Sequence, residues 1–340
     1  MKGLILAAGR GTRLRPLTES VSKAMLPLAG APLISYPLRA LLDAGIDDIG
    51  IVVGDNADEL KAGLAIYDAQ NEGSARLTYI HQPEAGGLAH AVNYARDFVG
   101  EDEFVLLFCD NLFAASLLPA LEQWSALRAG EGDQHCLLHT ITVADPRAFG
   151  VAVTDATGNV THLEEKPAQP RSDQAVIGVD ILTPRIFDAI ARIKPSARGE
   201  LEITDAIMEL TRLGHRVQAR RLPGWWFDTG TFDALLEALP PVMDELAATA
   251  ATPTSVAPDA QVEGCTLTAP VLIGPGCRVT NCTLGPYVSI EAGCVLDGCK
   301  LDHCAVYPGT QLRGVEAQNA LFGADGFRYP AQAEDVPAAG

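Results

Sequence analysis

Residues 3–15 read GLILAAGRGTRLR, and this stretch determines how the rest of the chain is interpreted. A short apolar run, typical of a buried strand, leads into two glycines and three arginines within one turn. The whole chain has a formal net charge of −18, yet residues 1–27 carry five basic side chains and one acidic one, a local charge of +4. A basic island in an acidic protein indicates that an anionic ligand is bound at this place.

The glycines of this stretch match neither of two common phosphate loops. A P-loop requires GxxxxGK[ST], which is absent, and a dinucleotide fingerprint requires a third glycine where Leu14 stands. The remaining interpretation is a nucleotide loop whose glycines let backbone N–H groups approach phosphate oxygens. Arginine suits such a loop because its planar guanidinium pairs bidentately with phosphate and stays charged.

The bulk composition narrows the class of protein. The chain has 340 residues, more than one average domain, and its 48% hydrophobic content supports a sizeable core. Its apolar runs are shorter than a membrane helix, and the apolar run at residues 4–8 is too short for a signal peptide. We therefore expect a cytoplasmic protein without a membrane partner. The acidic balance argues against nucleic acid as a partner. The eight cysteines are expected to be reduced thiols, and without CxxC or HExxH spacing the sequence predicts no transition-metal site.

Strand and helix patterns alternate in the first half of the chain. We expect strands at 3–9, 49–55, 76–82 and 103–111 and helices at 32–45, 57–66 and 88–99. This order predicts a Rossmann-like α/β fold with a mostly parallel sheet. Ligands of such sheets bind beyond the carboxyl ends of the strands, where Gly9 and Asp110 fall. After residue 139 shorter strands, helices near 184–193 and 202–214 and a strand at 217–222 complete a first domain, residues 1–238.

The last third of the chain has a different character. A short helix and polar linker (239–255) precede a segment (256–315) in which apolar residues recur every five or six positions, with Gly-Pro and Ala-Gly pairs between them. This period predicts a small left-handed parallel β-helix. Six of the eight cysteines follow the same period and are interpreted as small apolar fillers. Residues 316–340 are expected to pack loosely as a tail.

Several stretches resemble one known family in the same order along the chain. They are GLILAAGRGTRLRPLT (3–18), SKAMLP (22–27), QPEAGGLAHA (82–91), LFCDN (107–111), FGV (149–151), LEEKP (163–167), KPSARGELEITD (194–205) and WFDTGT (226–231). This ordered set resembles the sugar-phosphate nucleotidyltransferases. The last two stretches look most like glucose-1-phosphate thymidylyltransferases (dTDP-glucose synthases), and the β-helix resembles the long form of that group.

The resemblance implies a reaction and a metal. A sugar 1-phosphate, expected to be glucose 1-phosphate, would attack the α-phosphorus of a nucleoside triphosphate, expected to be dTTP, giving dTDP-glucose and pyrophosphate. Two anions must be brought together, so positioning and charge neutralisation would dominate catalysis. The resemblance makes Arg13 and Lys23 the catalytic residues and Asp110 and Asp228 the ligands of Mg²⁺, a hard ion that favours oxygen.

The remaining roles also come from the resemblance. The nucleotide would be bound by Leu6, Gly9, Gly11, Thr12, Gln82 and Gly87, with the Gln82 amide contacting the base. The sugar phosphate would be bound by Gly150, Glu165, Lys166, Val176 and Trp226, with Glu165 accepting hydrogen bonds from hydroxyls and Lys166 pairing with phosphate.

Three positions depart from the pattern of the family. Ala24 stands where a glutamine is usual, Cys109 where a glycine is usual, and Asp180 where the sugar pocket usually has an aromatic residue. The alternatives of UTP, GTP or CTP, or of another sugar or cyclitol phosphate, therefore remain open. For the β-helix, an acyltransferase activity with His303 as base is one alternative. The other, which we favour, is a module through which copies of the chain form a homo-oligomer.

Overall fold

The computed structural model describes residues 1–70, 75–114, 116–130, 133–250 and 252–330. Within these ranges the α-helices are α1 (Ser35–Asp43), α2 (Ala57–Gln70), α3 (Leu88–Tyr94), α4 (Arg96–Val99), α5 (Leu118–Ala129), α6 (Arg185–Ile190), α7 (Ile203–Arg212) and α8 (Phe232–Thr249). The β-strands are β1 (Lys2–Leu6), β2 (Pro27–Leu28), β3 (Ala31–Pro32), β4 (Asp48–Val53), β5 (Arg76–His81), β6 (Phe104–Phe108), β7 (Asn111–Phe113), β8 (Gln134–Thr142), β9 (Gly150–Thr154), β10 (Val160–Glu165), β11 (Gln174–Leu182), β12 (Arg216–Arg221), β13 (Trp226–Asp228), β14 (Thr254–Val256), β15 (Gln261–Glu263), β16 (Thr266–Leu267), β17 (Val271–Ile273), β18 (Arg278–Thr280), β19 (Thr283–Leu284), β20 (Val288–Ile290), β21 (Val295–Asp297), β22 (Lys300–Val306), β23 (Gln311–Arg313), β24 (Glu316–Phe322) and β25 (Arg328–Tyr329). In this part of the chain no helix is both long and apolar enough to cross a membrane.

The chain forms two compact units whose boundary differs from the one expected at residue 238. The first, here the sheet unit, contains Met1–Arg10 and Ile34–Trp226. The second, here the coil unit, contains Gly11–Leu33 and the chain from Phe227 onward. Residues 11–33 thus group with the C-terminal strands, and Gly30 and Leu17 contact residues of that region.

A mixed sheet with the strand order β10-β9-β11-β6-β1-β4-β5 forms the centre of the sheet unit. β1 pairs in parallel with β4 and β6, and β4 pairs in parallel with β5. β11 runs antiparallel to both β6 and β8, and β12 runs parallel to β8. Leu4 and Ile5 are fully buried, as expected of a strand covered on both faces. The predicted Rossmann-like, mostly parallel α/β fold is confirmed.

Helix α7 of the sheet unit buries an apolar stripe in the core. In α7 the buried residues Ile203, Ala206, Ile207 and Leu210 follow the i, i+3, i+4, i+7 spacing of one helix face. They share one core cluster with residues of β1, β6, β8 and α6. Gly214 follows the helix with a φ of 90°, a left-handed conformation that glycine adopts without a steric penalty.

Short parallel strands stack in the coil unit as the six-residue period predicts. β14 pairs with β17 and β17 with β20, and each pair is offset by 17 residues. β15 pairs with β18 and β18 with β21 at the same offset. The offset becomes 16 residues where β20 pairs with β22. Ile273, Val279 and Leu284 are buried in the shared core. The region is a parallel β-helix, and the left hand is the one that a hexapeptide period favours.

The cysteines of the β-helix lie in this core, as predicted for small apolar fillers. All six are free thiols. Cys265 is half-buried, and the other five are buried: Cys277, Cys282, Cys294, Cys299 and Cys304. Successive coils stack them, since the Cys282 N–H donates to the Cys265 sulfur at 3.4 Å and the Cys299 N–H donates to the Cys282 sulfur at 3.3 Å.

Two boundaries in the last third differ from the sequence analysis. The helix expected within 239–255 begins at Phe232 and continues through Pro240 and Pro241. Each proline removes a helix hydrogen bond, but the buried side chains on both sides of the pair keep α8 packed. The expected tail, 316–340, is partly structured, because β24 pairs with β22 and continues the coils beyond residue 315. Residues 331–340 lie outside the described residues.

Candidate functional site

Predicted nucleotide-binding residues of the sheet unit lie at the carboxyl ends of parallel strands. Leu6 ends β1 and is buried, while Gly9, three residues on, is exposed and has room for a Cβ among the described residues. Gln82 follows β5 and is buried, and its Nε2 lies 3.1 Å from Nδ1 of His90. The sequence analysis missed His90, although it lies within the quoted stretch 82–91. It orients the amide that is expected to contact a base.

The backbone at Gly87 packs too closely on its neighbours for a side chain. Gly87 has a φ of 99°, and a Cβ there would lie 2.5 Å from the carbonyl oxygen of Leu201. The Leu201 N–H donates to the carbonyl of Gly86 at 2.8 Å, and the Ala89 N–H donates to the Leu201 carbonyl at 3.0 Å. These bonds connect the start of α3 to the stretch that leads into α7.

The structure brings together the three residues Gly150, Glu165 and Val176, which were assigned to a sugar phosphate. A Cβ on Gly150 would lie 3.2 Å from Glu165 Oε2 and 3.7 Å from the Cβ of Val176. The same position would be 2.8 Å from the Thr204 methyl group, and the Thr204 hydroxyl donates to Glu165 Oε2 at 3.4 Å. The absence of a side chain at position 150 therefore lets Glu165, Val176 and Thr204 pack closely around this backbone.

Glu165 lies in a largely buried, mixed-charge environment. Its side chain is 15% exposed, and Oε1 lies 3.6 Å from Lys166 Nζ and 3.8 Å from a terminal nitrogen of Arg198. Burial raises the pKa of Glu165, and the positive charge of Lys166 opposes that rise. The Glu165 carboxylate thus has two cationic side chains beside it, Lys166 and Arg198.

Arg198 lies beside Glu165 and, with its partners, was not assigned a role by the sequence analysis. The guanidinium contacts Glu202 at 2.9 Å and Glu200 at 3.2 Å, and Ser196 donates to Glu202 Oε1 at 2.7 Å. All four residues lie in KPSARGELEITD (194–205), which was quoted for the family resemblance. The excess of charged residues in that motif was the available signal.

Lys166 and Trp226 are fixed by backbone contacts near Glu165. Lys166 has a φ of 45°, an uncommon conformation for a residue with a side chain, and its N–H donates to the Phe149 carbonyl at 2.9 Å. The Trp226 indole N–H donates to the carbonyl of Ile177 at 3.1 Å, and its ring packs edge-on against Phe149, with centroids 5.3 Å apart. Trp226 therefore lies beside Ile177, the residue that follows Val176 in sequence.

The phosphate-loop residues in the coil unit form a tight turn. Gly11 has a φ of 61°, its carbonyl accepts a hydrogen bond from the Thr18 hydroxyl at 2.7 Å, and a 3₁₀ turn follows at 12–14. Leu14 is buried, whereas Thr12 and Arg13 are exposed. A Cβ on Gly11 would lie 2.7 Å from the Cβ of Lys23, so the glycine lets these two parts of the segment touch.

Arg13, Lys23 and Asp228 converge in the coil unit. A Cβ on Gly230 would lie 2.6 Å from a terminal nitrogen of Arg13 and 2.9 Å from Asp228 Oδ1, so the guanidinium and the carboxylate lie over the same glycine. Lys23 Nζ lies 4.0 Å from Asp228 Oδ1, with the lysine side chain 9% exposed. This arrangement concentrates two cations around one carboxylate.

The β-helix contacts the segment 11–33 that carries these cations. Gly30 donates its N–H to Oε1 of the buried Glu291 at 3.0 Å, and a Cβ on Gly30 would lie 3.0 Å from the Leu272 side chain. A Cβ on Gly323 would lie 2.8 Å from the side chain of Leu17. The β-helix is thus part of the packing around the phosphate loop.

The three departures from the family pattern are buried. Ala24 is 1% exposed, Cys109 6% and Asp180 1%. Asp180, which stands where the sugar pocket of the family usually has an aromatic residue, thus has a buried carboxyl group. Burial raises the pKa of Asp180 to about 7. A hydrogen bond from the backbone N–H of His139 acts in the opposite direction and lowers this pKa.

His303, the base of the acyltransferase alternative, lies on the β-helix. Its Nδ1 contacts the carboxylate of Asp302, and its ring centroid is 4.7 Å from that of Tyr287. The acyltransferase alternative gains no further support from these contacts.

The fold is that of an α/β protein, and candidate ligand residues such as Gln82 follow the carboxyl ends of its parallel strands. The family model described as Nucleotidyl transferase matches residues 2–245, and the chain belongs to that family.

Relatives and solved structures agree with this assignment. A glucose-1-phosphate thymidylyltransferase of Streptomyces griseus is 45% identical over 237 residues, covering 70% of this chain and 64% of that protein. The UTP–glucose-1-phosphate uridylyltransferase AglF of Haloferax volcanii is 37% identical over 230 residues, covering 68% of this chain and 91% of that protein. The crystal structure of a putative glucose-1-phosphate thymidylyltransferase from Bacillus anthracis, in complex with sucrose, is 34% identical with a TM-score of 0.64, over 74% of this chain and 96% of that chain. The chain thus spans just under two thirds of the Streptomyces relative.

Proposed function

We propose that the protein transfers a nucleotidyl group from dTTP to glucose 1-phosphate, forming dTDP-glucose and pyrophosphate. Family membership and the thymidylyltransferase relative support the reaction class. In the proposed step a phosphate oxygen of the sugar 1-phosphate forms a bond to the α-phosphorus. The bond from that phosphorus to the bridging oxygen breaks, and pyrophosphate leaves with the electron pair.

The convergence of Arg13 and Lys23 on Asp228 is the observation that carries this proposal. A polyphosphate requires concentrated positive charge, and its charge increases on the leaving oxygens as the bond breaks. Arg13 would stabilise the departing pyrophosphate, and Lys23 would contact the α-phosphate. The glycines at 9 and 11 would expose backbone N–H groups to the triphosphate.

The group around Glu165 would bind the sugar phosphate. The Glu165 carboxylate, whose side chain is 15% exposed, would accept hydrogen bonds from sugar hydroxyls. Lys166, 3.6 Å from that carboxylate, would pair with the phosphate of the same ligand. A carboxylate beside a cation matches a ligand that has hydroxyls at one end and phosphate at the other.

We also propose Mg²⁺ as the cofactor. The residues present fit this ion, because Asp110 and Asp228 are partly exposed and offer the carboxylate oxygens that Mg²⁺ prefers. These two residues would hold it, and when bound the ion would neutralise phosphate charge.

Pyrophosphate release measured with dTTP, UTP, GTP, ATP and CTP, each with glucose 1-phosphate and Mg²⁺, tests the proposal. We expect turnover with dTTP and a loss of turnover in Asp110→Ala. No turnover with any nucleotide would overturn the choice of sugar, and full activity of Asp110→Ala would overturn the metal assignment.

UTP is the second candidate, favoured by the Haloferax uridylyltransferase relative. The same panel separates the two nucleotides, because a higher kcat/KM with UTP than with dTTP would replace the first choice. We further propose that the protein forms a homo-oligomer through flat β-helix faces, which light scattering of the purified protein tests.

A further inference from the structure

Asp133, His135 and His215 form a cluster in the sheet unit, away from the proposed substrate site. Among the described residues their potential ligand atoms, one from each side chain, lie within 4.8 Å of one another. Asp133 Oδ1 lies 2.6 Å from His135 Nε2, and Asp133 Oδ2 lies 2.5 Å from His215 Nδ1. The two imidazole centroids are 4.4 Å apart. One carboxylate therefore faces two histidines at once.

Backbone pairing fixes the three residues. Asp133 and His215 immediately precede β8 and β12, which pair in parallel from Gln134 and Arg216 onward. The Arg216 N–H donates to the Asp133 carbonyl at 2.8 Å. β8 runs in the same direction as β6, so the cluster lies at the amino ends of these strands, whereas Asp110 follows a carboxyl end.

A second contact orients one of the histidines. His135 Nδ1 lies 2.6 Å from the hydroxyl of Thr183, which follows β11 and is buried. When Nδ1 carries the proton, it donates to this hydroxyl, and the Nε2 lone pair then points to Asp133. Metal-binding histidines commonly have such a hydrogen bond on the other ring nitrogen.

We propose that Asp133, His135 and His215 bind one divalent transition-metal ion of the Zn²⁺ class. Two imidazoles and one carboxylate are ligands that suit this ion. Ligand atoms of a tetrahedral site with bonds of about 2.0–2.2 Å lie roughly 3.3 Å apart. Because the three ligand atoms already lie within 4.8 Å of one another, shifts on the order of an ångström would bring them to that spacing.

The exposure of the side chains indicates how the ion reaches the site. The side chain of His135 is 10% exposed, that of His215 20% and that of Asp133 60%. The imidazoles are the more buried ligands, and the carboxylate lies on the solvent side. Water would occupy the fourth position of a four-coordinate ion. The ion would join the starts of β8 and β12 and stabilise the folded chain by binding it and not the unfolded chain.

The sequence analysis missed this site because its ligands do not form a local motif. Asp133 and His135 are separated by one residue, but His215 comes 80 residues after His135 and reaches them through strand pairing.

Metal binding by the intact protein tests the proposal. Chelator-treated protein, kept in Mg²⁺, is titrated with Zn²⁺ by calorimetry, and the melting temperature is measured with and without Zn²⁺. We expect one Zn²⁺ per chain and a rise in melting temperature of several degrees. In His215→Gln and Asp133→Asn the Zn²⁺-induced rise should be lost, and in Thr183→Val the affinity should fall by about 10–100-fold. Comparing each variant with and without Zn²⁺ separates ion binding from lost hydrogen bonds.

Two controls separate this cluster from other ligands. His303→Ala, which removes the histidine of another His–Asp pair, should leave the Zn²⁺-induced rise unchanged. Co²⁺ should give the absorption of nitrogen and oxygen ligands without the intense thiolate band that the β-helix cysteines would produce. A thiolate band, no binding, or binding unchanged in His215→Gln and Asp133→Asn would each overturn the proposal.

Discussion

Glu291 of the β-helix accepts a 3.0 Å hydrogen bond from the backbone N–H of Gly30, in the segment that carries Arg13 and Lys23. The same Oε1 accepts the Ser289 hydroxyl at 2.8 Å, and Glu291 is 6% exposed. A repeat whose sequence suggests an assembly module thus also contacts the segment that carries the predicted phosphate loop. This relationship leads to the first of five predictions.

Replacement of Glu291 by alanine should destabilise the segment 11–33. The change leaves the Gly30 N–H and the Ser289 hydroxyl without their acceptor, which costs about 1–3 kcal/mol. We expect a lower urea midpoint and a higher KM for the nucleoside triphosphate. Glu263→Ala, on an exposed edge of the β-helix, is the matched control and should change neither. Equal effects of the two substitutions would contradict the contact as described.

Arg13→Ala should lower kcat by at least about 100-fold with little change in melting temperature, because an exposed guanidinium contributes to charge stabilisation more than to packing. The measurement is pyrophosphate release at saturating substrates. Arg15→Ala is the control two residues away; Arg15 is also exposed, and we expect its loss to change kcat by less than tenfold. A larger effect at Arg15 than at Arg13 would reverse the assignment.

Glu165→Gln should raise KM for the sugar 1-phosphate by roughly 10–100-fold, the value of a hydrogen bond to a charged group. The KM for the nucleotide should change little. Glu164→Gln alters the adjacent, exposed carboxylate and should leave both constants near those of the unmodified protein. A shift in the nucleotide KM alone would mean that Glu165 belongs to the other ligand.

Asp180→Asn should change how stability depends on pH. The carboxyl ionises at pH about 7 in the folded protein and near 3.9 in an unfolded chain, so the folded state binds the extra proton between these values. Its contribution is complete below pH about 4 and is lost as the pH rises through 7, at about 1.4 kcal/mol per pH unit. Relative to the unmodified protein, Asp180→Asn should therefore gain roughly 3 kcal/mol in unfolding free energy between pH 4.5 and pH 8.

Urea unfolding at both pH values measures this difference. Asp188→Asn, which changes an exposed carboxylate, should show no comparable gain. A pH-independent difference between Asp180→Asn and the unmodified protein would show that Asp180 is ionised at both values.

Gly87→Ala should be more damaging than Gly45→Ala. Both glycines have positive φ, 99° and 77°, so alanine is strained at each by about 1–2 kcal/mol. Only at Gly87 would the new Cβ also meet a backbone atom, the Leu201 carbonyl at 2.5 Å, whereas at Gly45 it meets no described atom within 4 Å. Melting temperatures of the two variants measure the cost of this clash, and equal shifts would argue against it.

The sheet was predictable from sequence because local patterns determine it. The apolar run of β1, buried on both faces, and the alternating helices identify a parallel sheet without tertiary information. α5 was missed because the buried residues that the structure describes for it are Ala120 and Trp124, which give no apolar stripe.

The candidate site was predictable in part, for a physical reason. Motif residues such as Arg13 and Glu165 can be recognised because they are charged side chains next to apolar or glycine-rich sequence. The contact between Gly30 and Glu291 joins positions far apart in sequence, and neither residue is unusual where it stands. The burial of Asp180 likewise depends on the strands that flank β11, and the residue type alone favours an exposed position.

The separation in sequence between residues 11–33 and their partners has a consequence for biosynthesis. The segment that carries Arg13 is translated more than 200 residues before Leu272, Glu291 and Gly323, which pack against it. At roughly 5–20 residues per second this delay is on the order of 10–50 s. During that time the nascent sheet strands can pair, whereas the basic turn still lacks the β-helix residues that pack against its segment. Completion of the β-helix therefore supplies the last of the contacts around this segment.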